Sequence, residues 1–296
     1  MTRYSVLQHE ADGLSAGLPP LMVEADHLAA SVSLGVHGRR RAGMGESFWQ
    51  FRRYASHDST AAIDWRQSAK SQHIFVRERE WEAAQTVWFW RDASANMLFG
   101  PATLRQEKGV SKRARADLLL LALASLLVRG GERVGFIGME GAPAASRLAL
   151  TRIGRALFAP GDEALPDAAL KKGAPLSRGN QLVWFSDFLD EGAMETMARL
   201  ARQGVEGHLV RIVDPAEEDF PYSGRTRFES PRGGEHASEI FGRAERVRES
   251  YRARFIAHGE RVAAEAMRFN WTCVTHRTDH APQGALIALH AAIGGA

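Results

Sequence analysis

The sequence predicts an α/β protein in which a mostly parallel sheet is covered by helices on both faces. Three observations carry this. Short apolar runs rich in Val, Ile, Phe and Trp alternate with helix-length segments from Gln85 onward. Several of these runs lack the polar–apolar alternation of a half-solvated strand, as strands buried on both faces do. Each exits into a polar turn ahead of the next helical segment, which is the order of a crossover fold. Residues 1–84 read as an N-terminal segment and 85–296 as the α/β domain.

Met1 to about Ser33 reads as helix and loop, with a break at Pro19-Pro20 before the periodic stretch LMVEADHLAASV. Glycines at 35, 38, 43 and 45 then flank Arg39, Arg40 and Arg41 in GVHGRRRAGMGESF and mark turns. FWQFRRY and AIDWRQSA follow, and HIFVREREWE alternates as a half-exposed strand does. In the second segment TVWFW is the first strand, closed by a polar turn at Arg91 to Asn96. Ser111 to Val128 is a helix apolar nearly all round, hence buried, and Gly130-Gly131 ends it. RVGFIGM, QLVWFSDF, HLVRIVD and WTCVTHRT are the next strands. Leu148 to Phe158, Met194 to Gln203, Arg243 to Phe269 and Gln283 to Ala292 are the helices among them, and TRFES marks a short ribbon in the loop from Asp219 to Ala237.

Composition narrows the function. Apolar residues make up 45% of the 296, enough for a sizeable core. The formal net charge is only +3, and the arginines interleave with acids in RERE and RAERVRES. That pattern is ion-pair lacing and gives no nucleic acid a continuous basic stripe. The single cysteine, Cys273, can form no intramolecular disulfide and reads as a small hydrophobe in NWTCVTH. MTRYSVLQHEAD has no apolar signal core, and the longest apolar run, Leu118 to Val128, is far short of the ~20 residues of a membrane span. A cytoplasmic protein without stable membrane insertion is expected.

In open α/β sheets, ligands bind at the carboxyl ends of the strands. Two such turns carry acids: Asp92-Ala-Ser94-Ala-Asn96 after the first strand, and Ser186-Asp187 after QLVWF. Asp92, Ser94, Asn96 and Asp187 are all oxygen donors, a set that suits Mg²⁺ or Mn²⁺ over zinc. The plainer reading is that Asp92, Ser94 and Asp187 cap the turns that follow them. Ser94 lacks the G-x-S-x-G setting of a hydrolase nucleophile, and the chain contains no GxxxxGK[ST] loop. His37, His57 and His73 have no common metal-ligand spacing.

D-x-S-x-S at the end of a first strand resembles the opening of the metal-ion-dependent adhesion site of von Willebrand factor A domains; here Asn96 stands at the third position. The block GVHGRRRAGMGESFWQFRRY…HDSTAAIDWRQSAKSQHIFVREREWE closely resembles the bacterial family called domain of unknown function 58. That resemblance implies a von Willebrand factor A-like, Rossmann-like domain and a partnership with a MoxR-type AAA+ ATPase. Thr151, in a segment that reads as helical, is the nearest match by order to the threonine such metal sites use. Arg39, Arg40, Arg41, Arg52, Arg53, Asp64, Trp65 and Arg66 are the candidate partner-binding residues of the block. Their plainer role is internal, with Asp64 paired to a nearby arginine and Trp65 buried.

The expectation is a non-enzymatic adaptor working in protein assembly or maturation. A Mg²⁺ or Mn²⁺ ion on the rim would take an acidic residue from a partner. The alternatives are a metal-dependent hydrolase using the same acids on water, and a structural module without metal.

Overall fold

In the computed structural model, residues 19–33, 48–55, 63–79, 85–100, 109–170, 176–230 and 238–294 are described. Helix α1 (19–33) begins at the proline pair, whose missing N–H groups cost nothing in a first turn. Its Ala25, Leu28, Ala29 and Val32 fall on one stripe and join the main core. Asp26 of α1 accepts hydrogen bonds from Ser125 (2.6 Å) and Arg129 (3.1 Å).

The chain divides into two compact units, one of Gly35–Ala84 and one of Met1–Leu34 with Gln85–Ala296. Helix α1 therefore belongs with the α/β domain, because its apolar stripe is part of that core. In the smaller unit, β1 (Phe48–Arg53) pairs antiparallel with β2 (Phe75–Arg79), and Ile63 bridges to Val76. Between the strands lies the single turn α2 (Trp65–Ser68), capped by the Asp64 carboxylate on Gln67 N. Ser68 Oγ accepts from Phe75 N and ties that turn to β2.

The α/β domain is built on β3 (Thr86–Arg91), β4 (Arg133–Phe136), β5 (Gln181–Ser186), β6 (Glu206–Val213) and β9 (Thr272–Arg277). All are parallel, in the order β4-β3-β5-β6-β9. Helices α3 (Lys112–Arg129), α4 (Arg147–Phe158), α5 (Asp167–Leu170), α6 (Ala193–Arg202), α7 (Pro215–Asp219), α8 (Arg248–Arg268) and α9 (Pro282–Gly294) complete it. The β3–α3–β4 crossover runs toward one sheet edge and β5–α6–β6 toward the other, so right-handed connections put α3 and α6 on opposite faces. Helix α3 packs with α4 and α9, and α6 packs with α8. The layout is the doubly wound, Rossmann-like sheet read from the sequence.

Every residue of β5 is buried, which is why QLVWFS shows no alternation. Helix α3 buries Leu118 through Leu127 without a break. Gly207 in β6 lies under the Trp271 ring, where a Cβ would come within 1.9 Å of the indole. Trp271 Nε1 donates to Val205 O at 3.0 Å and fixes that contact. The ribbon is β7 (Thr226–Glu229) with β8 (Ser238–Phe241), and Phe228 stacks on Phe220. Helix α7, not foreseen, is a capping box on Asp214 and Glu217 with Pro215 at its start. Among the described residues no helix is long and apolar enough to cross a membrane.

Candidate functional site

Strands β3, β5, β6 and β9 all discharge at the carboxyl end of the sheet, and the N-terminus of α3 lies there too. Asp92 follows β3 directly and is 1% exposed. One of its oxygens accepts from Ser94 N at 2.8 Å, an Asx-turn that shapes the loop. The other accepts from Ser186 Oγ at 2.7 Å, possible because β3 and β5 are paired up to Arg91 and Phe185. Burial, helped by the nearby Asp187 charge, holds the Asp92 carboxyl above the ordinary aspartate range. Ser94 Oγ is buried close to the Asp92 carboxylate, whose charged form it favours, without a hydrogen bond of full geometry among the described residues. Asn96 is half-buried in a 3₁₀ turn, Ala95–Leu98.

Asp187 is 4% exposed. Its Oδ1 accepts from Leu189 N at 3.0 Å, and its Oδ2 takes the Lys112 ammonium at 2.8 Å. The same ammonium reaches Glu217 Oε1 at 2.6 Å. Glu217 Oε2 in turn accepts from Asp214 N at 3.0 Å. Burial pulls the Lys112 pKa down, but the two carboxylates more than offset it, and the net direction is up. Burial pushes Glu217 up despite the adjacent ammonium. Asp214 caps α7 through Ala216 N and also receives Thr278 Oγ1 at 3.3 Å.

The first turns of α3 act as a hub for these loops. Arg113 donates to Ala93 O and, at 3.3 Å, to Ser94 O. Arg115 donates to Thr278 O at 2.7 Å, beyond the end of β9. Arg91, buried, bonds Asp117 at 2.9 Å and Leu157 O at 2.6 Å. The segment KRAR thus fastens the exits of β3, β5, β6 and β9 with side chains from a single helical turn.

Beside this closed region, where β3 and β4 end, lies a cleft of about 500 Å³, within the usual range of ligand sites. Buried Trp90 and Phe136, stacked 5.7 Å apart, and half-buried Met139 supply its apolar floor. Arg152, Arg155, Glu140 and Glu163 bring charge to it. Of these, Arg155 and the two glutamates are exposed.

The structure brings Asp92, Ser94 and Asp187 together at one sheet end, with Asn96 in the adjoining turn. A divalent ion does not fit these four as they stand. Both oxygens of Asp92 and both of Asp187 already accept hydrogen bonds, and the donor on Asp187 Oδ2 is itself a cation. Among the described residues no three His, Cys, Asp or Glu side chains converge as metal ligands. Thr151 is in α4, bonded to Arg147 O one turn back. Of the block residues, Arg39, Arg40 and Arg41 lie outside the described residues, as do His37 and His57, and the Arg52 side chain is not described. Arg53 and Arg66 are exposed. Asp64 caps α2, and Trp65, expected to be buried, is 65% exposed. Lys112, Asp214 and Glu217 were not anticipated. The available signals were the D-P-A-E capping pattern and a lysine in the first turn of a helix, where the dipole disfavours a cation.

An α/β domain with a parallel sheet, its carboxyl end closed by buried ion contacts beside β5 and β6 and open at a cleft beside β3 and β4, is the class of protein defined by this geometry. The chain belongs to the family described as "Protein of unknown function DUF58", whose model matches residues 50–261. It is similar to a solved structure, the conserved hypothetical protein BatB from Bacteroides thetaiotaomicron. That similarity has 16% identity and a TM-score of 0.41, covering 72% of this chain and 98% of the other. No curated protein matches the chain.

Proposed function

We propose that this protein is a non-enzymatic adaptor that docks an acidic segment of a partner at the carboxyl end of its sheet. The observation that carries this reading is the division of that end into a half closed by buried ion contacts and an open cleft. The rim carboxylates Asp92 and Asp187 are 1% and 4% exposed and hold internal hydrogen bonds, so neither faces a substrate as a general base. The adjacent cleft combines an apolar floor with Arg152 and Arg155, the groups best suited to grip a carboxylate, while Glu140 and Glu163 on the same lining would bar an acid from the other parts of it. Guanidinium, in this reading, does the acid recognition that the sequence assigned to a metal ion.

The resemblance to the family points to a MoxR-type AAA+ ATPase as the partner system, with a role in assembly or maturation of other proteins. The test is co-purification of the full chain with the MoxR-type ATPase of the same organism. Binding is expected for the wild type and for Ser94→Ala, and its loss is expected for the double variant Arg152→Glu/Arg155→Glu. Undiminished binding by a folded double variant would overturn docking at the cleft.

A further inference from the structure

Lys112 is placed against two electrostatic costs. It is the first residue of an 18-residue helix, at the positive end of the helix dipole. Its side chain is 0% exposed, where an unpaired ammonium is heavily penalised. What holds it there is the pair of carboxylates at 2.8 and 2.6 Å, with the Phe99 ring 5.8 Å away over the same nitrogen. Those carboxylates come from two different turns, Asp187 after β5 and Glu217 in α7.

We infer that the Lys112 ammonium is the resident cation of this rim, standing in for a divalent metal and joining its turns, so that the rim assembles without metal. The connections are complete as they stand. Asp187 and Glu217 meet on the ammonium, and Glu217 passes the link to Asp214 N at the end of β6. Ser186 Oγ closes the turn after β5 onto Asp92 after β3. Arg113 holds the same β3 loop through Ala93 O. A divalent ion seated on Asp187 would share that carboxylate with an ammonium a few ångströms away, and like charges at such separation in a buried site repel strongly. Removing the ammonium has the opposite consequence. Lys112→Ala leaves the Asp187 and Glu217 carboxylates facing the space vacated by the ammonium, two oxygen donors of the hard kind that Mg²⁺ or Mn²⁺ takes with water completing its shell.

The assignment stands or falls separately from docking at the cleft, since no partner enters the measurement. The full chain is stripped with EDTA and titrated with Mn²⁺, followed by calorimetry and by the Mn²⁺ electron paramagnetic resonance signal. Thermal unfolding is recorded in EDTA and in Mg²⁺. For the wild type, no stoichiometric Mn²⁺ uptake and the same unfolding temperature in both buffers are expected. For Lys112→Ala, uptake of one Mn²⁺ is expected, with an unfolding temperature that rises on adding the metal, and both effects are lost in Lys112→Ala/Asp187→Asn. One Mn²⁺ bound by the wild type and abolished by Asp92→Asn would overturn the inference. So would a folded Lys112→Ala variant that takes up no metal. If Lys112→Ala does not fold, the wild-type titration decides alone.

Discussion

The two halves of the carboxyl end of the sheet are built differently. On the side of β5, β6 and β9 the exits are sealed: Asp187, Asp214 and Thr278 are each at most 4% exposed and each is tied to another element. On the side of β4 the chain leaves a cleft lined by Arg152, Arg155 and Glu140, with Trp90 and Phe136 beneath. The contrast separates frame from face. Saturated buried polar groups specify geometry, whereas charged side chains around an apolar floor remain free to meet another molecule.

The largest expected effect tests the sealed half. Lys112→Met strips the cation from two buried carboxylates, and breaking such a pair costs about 3–5 kcal/mol. At roughly 2–4 °C per kcal/mol for a domain of this size, that lowers the unfolding temperature by about 10 °C. Calorimetry checks it, and a drop confined to a degree or two would mean the sealed half is not held by the ammonium.

His208, near the amino end of β6 and so away from the sealed rim, gives a smaller, pH-dependent effect. Burial lowers its pKa to about 4, against an ordinary value of 6.5. The unfolded chain therefore binds the proton more readily, so this stability is fully present above pH 6.5 and is lost as pH falls toward 4. The window corresponds to about 3 kcal/mol. Urea unfolding of wild type and His208→Gln at pH 7 and pH 4.5 should show a shallower acid loss in the variant. Equal losses would remove His208 from the account.

Ser94→Ala removes a buried hydroxyl that has no hydrogen bond of full geometry among the described residues. Its effect on stability is expected to be neutral or favourable by under about 1 kcal/mol, as read by the urea midpoint. A clear destabilisation would show that the hydroxyl is engaged with the Asp92 carboxylate in the loop after β3. Smallest of all, Arg152→Glu/Arg155→Glu should move stability by no more than about 0.5 kcal/mol while abolishing partner capture. Equal damage to fold and to binding would erase the distinction between face and frame.

The same contrast explains what could be read from the sequence. Asp92 and Asp187 were visible because their roles are local: each bonds a backbone N–H two residues on, and each follows a strand made conspicuous by Trp and Phe. The Lys112 partners are 75 and 105 residues away, and no periodicity encodes such a meeting. Only the strand order β4-β3-β5-β6-β9 brings those turns together. Helix α1 was legible as an amphipathic helix but not by its destination, because a stripe of Ala, Leu and Val fits any apolar surface. The metal reading followed from oxygen-donor residue types at the strand ends and from the D-x-S-x-S resemblance. An ammonium held by two carboxylates satisfies those acids in its place, and that substitution depends on contacts distant in sequence. Trp65 went the other way, since an indole predicts burial by type and here lies exposed.

The most direct test of the division into frame and face is amide hydrogen exchange on the full chain, with and without the MoxR-type ATPase. New protection is predicted around Met139 and Glu140 and along residues 152–163, with exchange at Ser94, Leu189 and Ala216 unchanged. Protection gained at Ser94 and Leu189 while the cleft stays unaffected would contradict the account.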